Sequence, residues 1–394
     1  MTSKQIINAD KSSAMNTYAR FPVALEKGKG AVAWDADGKE YIDFTSGIGV
    51  NSLGYCNDGY ISAVESQLAK LTHVSNLYYN PSTASLTKTL TEKTKMSRVF
   101  MANSGAEANE CMIKLCRKYS FDKYGEGRST VITLINSFHG RTMNTLTACG
   151  QQSLHPDYFK PFASGFRYVE AGDIEAFSAA LKNDVCAVMF ETIQGEGGVI
   201  PLDKEYVKAV CKAAHKNDIL IAVDDVQAGI GRTGKLCSYE HYGIRPDCVS
   251  FAKGLGGGLP IGACACSDKL KDVMTPGSHG STFGGNPVVC AGAEYVLSVV
   301  ANDEFLNEVT KKGEYMRERI QGFKNVRSVR GRGLMIGIDV DGKTGADIAS
   351  ACLDSGLLVL TAKTLVRLLP PLNISYDEID RGLSILKAAI EKQV

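Results

Sequence analysis

The stretch DCVSFAKGLGGGLPIG (247–262) places a lysine where an apolar strand ends. Val249, Phe251 and Ala252 read as buried, and Lys253 is followed by four glycines in five residues. A buried ammonium is costly unless it is paired or loses its charge. Lys253 therefore either turns out to solvent or has chemistry to do: a partly desolvated lysine has a lowered pKa and forms an imine with an aldehyde. The glycines let backbone or ligand come close. A second apolar run, ILIAVDD (219–225), ends in Asp224 and Asp225. A carboxylate there caps a helix or binds a metal, yet no further acid or histidine clusters with it as a metal site needs. Set against a pyridine nitrogen, it would keep that nitrogen protonated and make the ring an electron sink. After VFMA, the run NSGAEAN opens a helix, so Ser104, Gly105 and Ala106 offer free N–H groups to an anion. Ser104 serves equally well as an ordinary N-cap. SFHGRT adds an aromatic ring, Phe138, and a fixed cation, Arg141. An imine lysine, a pyridinium partner, a phosphate nest and a stacking ring together describe a site for pyridoxal phosphate.

Such residues must be carried by elements that converge. The runs SRVFMAN (97–103), TVITLIN (130–136), CAVMFE (186–191), ILIAVDD and DCVSFAK (247–253) read as core strands. They are continuously apolar, as strands buried on both faces should be. Between them lie amphipathic helices. Val207, Val210, Cys211 and Ala214 follow helical spacing, and so do Ala108, Cys111, Met112 and Leu115. This alternation predicts an α/β domain with a mostly parallel sheet, its ligand at the carboxyl ends of the strands. The ends differ: WDADGKEYIDF reads as a hairpin. From about Gly284 a long helix leads to GLMIGIDV, GADIASACLDSG, LLVL and a closing helix from Asp377.

The bulk properties narrow the classes of function. The chain has 394 residues, 44% of them hydrophobic, and a formal net charge of +1. That is enough for more than one domain. No block of like charge favours nucleic acid or an anionic membrane. No apolar run reaches the length of a membrane span, and the N-terminus has no apolar signal core, so a cytoplasmic protein is expected. The 12 cysteines are scattered among apolar residues without zinc spacing and are expected to be buried and reduced. One motif misleads. GIGRTGKL (229–236) matches Gly-x-Gly-x-x-Gly and nearly matches a phosphate loop, but Leu236 replaces the magnesium-binding hydroxyl. No helix follows directly on a strand there, so a glycine-rich turn is expected and a nicotinamide-dependent oxidoreductase is not.

The chain resembles the class III pyridoxal-phosphate aminotransferases, within them the branch that acts on acetylornithine, over nearly its whole length. The segments that carry the likeness include MNTYARFPVALEKGKGAVAWDADGKEYIDF, ANSGAEANE, SFHGRT, ETIQGEGG, AVDDVQAGIGRTG, FAKGLGGGLPIGA, HGSTFGGNP and VRLLPPLNI. The resemblance implies the type I fold of pyridoxal-phosphate transferases. A large domain with a mostly parallel seven-stranded sheet (51–283) would stand beside a small α+β domain built from residues 1–50 and 284–394. It implies Lys253 as the Schiff-base lysine, Asp224 as the pyridine-nitrogen partner, Val226 beneath the ring and Gln227 near its phenolic oxygen. Phe138 would stack on the other face, and Gly105 with Ala106 would hold the phosphate. Thr282 would reach the phosphate of a neighbouring subunit, making an obligate homodimer, and Ser281 beside it would touch substrate. Arg141 would bind the distant carboxylate of either substrate, while Arg367 alternates between the α-carboxylate of glutamate and Glu196. The implied reaction is ping-pong transfer of the terminal amino group of N2-acetylornithine to 2-oxoglutarate, in arginine biosynthesis. Ornithine, succinylornithine, succinyl-diaminopimelate and 4-aminobutyrate stay open as donors, and an aminomutase as a related activity. Three departures stand out: Thr192 where the family has proline, Asp225 where it has glutamate, and YCNDGY after LGY.

Overall fold

The computed structural model describes residues 1–392. A seven-stranded sheet forms its centre, with strands β1 (Arg98–Ala102), β2 (Thr130–Leu134), β3 (Phe166–Val169), β4 (Val185–Phe190), β5 (Leu220–Asp224), β6 (Cys248–Phe251) and β7 (Gly262–Cys266). Across the sheet they run β1-β7-β6-β5-β4-β2-β3. Strand β7 lies antiparallel to β6 and β1, and the other pairs are parallel. Every residue of β2, β4, β5, β6 and β7 is buried, which is why these runs read as unbroken apolar stretches. The five expected strands are all present. β3 and β7 are additions to the sequence reading.

Helix α1 (Gly105–Tyr124) follows β1, and the Ser104 hydroxyl accepts from the N–H of Glu107 at 3.2 Å. Helix α2 (Lys204–Lys216) buries Val207, Val210, Cys211 and Ala214, the stripe expected from their spacing. The long helix α3 spans Pro287–Val300. The N-terminal hairpin pairs Val32–Asp35 with Glu40–Asp43, and Asp35 Oδ1 accepts the N–H groups of Asp37 and Lys39 to shape its turn. Leu357–Leu358 joins that sheet in parallel, so the two ends of the chain share one unit. A second sheet holds Val326–Arg332, Met335–Val340, Leu365–Leu368 and Leu360–Ala362, and in it Gly337 pairs with Arg367. The closing helix is Tyr376–Glu391.

In GIGRTG, Gly231 and Gly234 have φ of +81° and +85°, so the motif is a buried turn that opens no helix. The YCNDGY departure builds a helix start: Asn57 Oδ1 accepts from the N–H of Tyr60 at 3.1 Å and caps Asp58–Leu68. Eleven cysteines are buried and Cys56 is exposed; none forms a disulfide. No described helix is long and apolar enough to cross a membrane.

Candidate active site

A cavity of about 450 Å³ opens at the carboxyl ends of β1, β2, β5 and β6. It receives Gly105 and Ala106 from the start of α1, Phe138 and Arg141 from the loop after β2, Asp224, Val226 and Gln227 from the end of β5, and Lys253 from the end of β6. Eight of the twelve residues to which the resemblance gives a role thus converge, from segments far apart in the chain.

Lys253 begins a single turn, Lys253–Leu255, and has φ of +43°. A non-glycine residue in the left-handed region stores strain, and such residues cluster at functional sites. Burial pushes its ammonium below the ordinary lysine value, against the pull of the Glu196 and Asp224 carboxylates. The side chain is thus shifted toward the neutral amine, the nucleophilic form.

Asp224 is held from three sides. Its Oδ2 accepts from Asn109 Nδ2 at 2.8 Å and faces His139 Nδ1 at 2.7 Å; its Oδ1 accepts from the N–H of Val226 at 3.1 Å. Asp224 is 3% exposed and His139 2%. Asn109 Nδ2 also donates to the carbonyl of His139 at 2.7 Å, closing the triangle. Neither Asn109 nor His139 was found in the sequence as a site residue. Each acts through Asp224, from 115 and 85 positions away, so no local spacing announces it.

Two further carboxyls are buried here, Glu191 in the cavity lining and Asp225 behind it. Glu191 accepts the N–H groups of Phe138 (2.9 Å) and Gly195 (3.2 Å), tying the loop after β2 to the end of β4. Burial raises it to about 7, with His139 opposing and Asp224 adding to the rise. Asp225 accepts from the N–H of Ser238 at 2.9 Å and from its hydroxyl, and burial pushes it up to about 7 as well. The Thr192 hydroxyl contacts the same Ser238 hydroxyl, so two of the departures from the family pattern meet on one side chain.

Arg367, 3% exposed, makes a forked pair with Glu196: Nη1 to Oε1 at 2.6 Å and Nη2 to Oε2 at 3.3 Å. Nη1 also donates to Gln227 Oε1 at 3.1 Å, which links the pair to the cavity wall. Burial works to raise Glu196, but the charge and hydrogen bonds of Arg367, with Lys253 behind, hold it below the ordinary glutamate value. Arg141 is exposed, its guanidinium 5.5 Å from the centre of the Phe138 ring.

Ser281 and Thr282 do not join this cavity. They line a separate recess with Asn103, Glu107 and Phe283. The Ser281 hydroxyl accepts from Asn103 Nδ2 at 3.0 Å and from the N–H of Gly284 at 2.9 Å, while Thr282 is exposed. Within one chain, Ser281 and Thr282 thus stand apart from the residues gathered around Lys253.

The residues present fit pyridoxal phosphate. At one end the first N–H groups of α1, at Gly105 and Ala106, precede the first helical bond, from Ala108 to Ser104, and are free for an anion. Gly105 has no room for a side chain: a Cβ there would stand 2.7 Å from Val226 Cγ1. At the other end lies a buried carboxylate with the orientation fixed by its neighbours, and beside it a desolvated amine.

The chain matches the family described as aminotransferase class-III over residues 13–390. An acetylornithine aminotransferase of Haemophilus ducreyi is 49% identical over the full length of both chains. One from Caldanaerobacter subterraneus is 48% identical over 97% of this chain and 98% of its own. Among solved structures, the N-acetylornithine aminotransferase of Stenotrophomonas maltophilia superposes with a TM-score of 0.83 at 35% identity, over 98% of each chain. The ornithine aminotransferase of Toxoplasma gondii gives 0.94 at 31% identity, over 99% of this chain and 95% of its own. With this cavity and these relatives, the chain belongs to the class III aminotransferases and is a pyridoxal-phosphate-dependent transaminase.

Proposed function

We propose that this transaminase moves the terminal amino group of N2-acetylornithine to 2-oxoglutarate, giving N-acetylglutamate 5-semialdehyde and glutamate, a step of arginine biosynthesis. Pyridoxal phosphate, when bound, supplies an aldehyde that takes up the amino group and a ring that draws electrons from the reacting carbon. Lys253 would hold the cofactor and, as a free amine, would move the proton at the reacting carbon of the substrate. Asp224, oriented by Asn109 and His139, would keep a proton on the ring nitrogen. Phe138 and Val226 would hold the ring, Gln227 would contribute a polar contact to it, and Gly105 with Ala106 would bind the phosphate. Arg141 takes the distant carboxylate of either substrate in a bidentate fork.

One observation carries the dual specificity: the Arg367–Glu196 pair at the cavity wall. Glutamate reacts at an amine beside a carboxylate, and acetylornithine at one without. Arg367 pairs with that carboxylate in one half-reaction and with Glu196 in the other, so its charge is never left buried and alone. The uncharged loop TSGIGVN supports an acylated donor. Val50 of this loop lines the cavity, and the loop offers no charged partner to a free α-amino group.

We further propose a homodimer in the cytoplasm, with domains divided at residues 1–50, 51–283 and 284–394. Leu77, Tyr78, Tyr79 and Phe283 are exposed, and Asn76 Nδ2 ties their segments together through the carbonyls of Ser281 and Gly284. Such a patch beside Thr282 suits a partner subunit whose phosphate Thr282 reaches. The purified protein is expected to be yellow, bleached by acetylornithine and restored by 2-oxoglutarate. A protein that stays colourless with added cofactor overturns the reading. Faster bleaching by ornithine than by acetylornithine reassigns the donor.

A further inference from the structure

The turn that mimics a nucleotide signature carries an unusual buried charge. Arg232 is 2% exposed, and its hydrogen-bond partners are all neutral. Nη1 donates to the carbonyls of Leu334 (3.0 Å) and Pro370 (2.5 Å), and Nη2 to the Ser46 hydroxyl (3.4 Å). Burial pulls the guanidinium down to about 9, with the Asp43 carboxylate opposing. A buried cation without an ion pair is expensive, and simple packing would not require one.

Three distant segments meet on this side chain. Ser46 opens the loop whose Gly47 and Ile48 are left-handed, and its hydroxyl donates to the carbonyl of Leu369 at 2.6 Å. Leu334 immediately precedes Met335–Val340, the strand whose Gly337 pairs with Arg367. Pro370 follows shortly after Leu365–Leu368, which carries Arg367 itself. The backbone of Arg232 is anchored on the opposite side. Its N–H donates to the carbonyl of Gly229, and the N–H of Gly229 donates to that of Asp225, next to Asp224. On the near side its carbonyl accepts from the N–H of Leu334 at 3.0 Å, so backbone and side chain both hold that residue. One planar fork therefore joins the cavity wall bearing Asp224 and Gln227 to the strand bearing Arg367 and the loop bearing Ile48.

We propose that Arg232 is a positioning residue that sets the separation between Arg367 and the cofactor-holding wall, and thereby tunes recognition of the substrate α-carboxylate. The inference rests on the assignment of Arg367 made under the proposed function. A guanidinium holds three acceptors in a fixed plane, which an ammonium on a flexible stem does not reproduce. Misplacement of a binding group by about 1 Å costs up to about 100-fold.

The test uses the holoenzyme with R232K, which keeps the cation and removes the fork, and S46A, which removes the longest contact of the fork together with the Ser46–Leu369 hydrogen bond. R232K is expected to raise KM for 2-oxoglutarate about tenfold while KM for acetylornithine stays within about twofold. S46A should shift the same ratio in the same direction by about two- to threefold. The absorbance of the bound cofactor should be unchanged in both. Arg367→Ala, measured alongside, tests the underlying assignment: if it leaves KM for 2-oxoglutarate unaltered, that assignment fails. If Arg367→Ala raises this KM while R232K and S46A keep the wild-type ratio, the inference about Arg232 is overturned. The same holds if both KM values move together as the melting temperature falls. S46A decides alone where R232K does not fold.

Discussion

Replacing Glu196 by glutamine isolates the charge on which the two half-reactions differ. The carboxylate contacts Arg367 at 2.6 and 3.3 Å, and the two side chains are 29% and 4% exposed. Glutamine keeps the volume and one acceptor, so the loss is chiefly electrostatic. Exposed pairs contribute at most about 1 kcal/mol, and breaking a fully buried pair costs about 3–5 kcal/mol. With one partner partly solvated, the coupling lies near 2 kcal/mol, which is about 30-fold in an equilibrium. An incoming glutamate carboxylate must displace Glu196, so removing its charge removes a competitor and favours the 2-oxoglutarate half-reaction. Acetylornithine offers no replacement, leaves Arg367 unpaired, and its half-reaction weakens. Single-turnover stopped-flow measurements of each half-reaction, read through cofactor absorbance, should show the ratio of their kcat/KM values shifted by about 30-fold. If both constants move by the same factor, or neither moves, the exchange of partners at Arg367 is refuted.

Three more outcomes are expected. Borohydride reduction of the holoenzyme followed by peptide mass mapping should place the label on Lys253 alone, and Lys253→Ala should carry none; a label elsewhere would remove the central residue of the site. Asp225 has its folded-state value raised from 3.8 to about 7, so its contribution to stability is fully present below about pH 4 and is lost as pH rises toward 7. The shift is worth on the order of 4 kcal/mol. Asp225→Asn should therefore gain stability relative to wild type between pH 4 and 7 in urea melts, and a constant difference across that range would contradict the assignment. Gly262→Ala places a Cβ 2.1 Å from the carbonyl oxygen of Ser104, beside the turn proposed to hold the phosphate. It should cost about 1–3 kcal/mol and weaken cofactor retention on dialysis, whereas wild-type retention and melting would show that the strand shifts freely.

The strands that could be read from the sequence were those whose burial on both faces demands branched and aromatic residues, as in Ile221 and Val223 of β5. Strand β7, GACAC, escaped for the opposite reason. It is squeezed between β1 and β6, with α1 packed across it, and small residues with little strand preference fill that space. The edge strand β3 is only partly buried and lacks a continuous apolar run. Lys253, Asp224 and Phe138 were visible because polar or aromatic groups at strand ends face the crevice of an α/β sheet. His139 and Asn109 were hidden because their partner is set by topology and not by spacing. Ser281 and Thr282 were named from family likeness, and one chain alone places them in a neighbouring recess.

The strained backbone at Lys253 is fastened on both sides. Phe251 of β6 pairs with Ala263 of β7, so the loop 252–261 leaves and re-enters the same sheet. Within that loop, the Ser52 hydroxyl grips the carbonyl of Gly254 at 3.0 Å and the Tyr60 hydroxyl that of Gly256 at 2.6 Å. The lysine Cα is therefore a fixed post, and its amine moves only on a four-carbon leash. In the role proposed for Lys253, an amine released from the cofactor by substrate would not drift into solvent. It waits at an effective concentration that for well-oriented groups reaches about 10⁵ M or more, far above any free amine in a cell. The same anchoring that places the amine would thus ensure its return, and in the proposed reaction each turnover would end by recapture on a short tether.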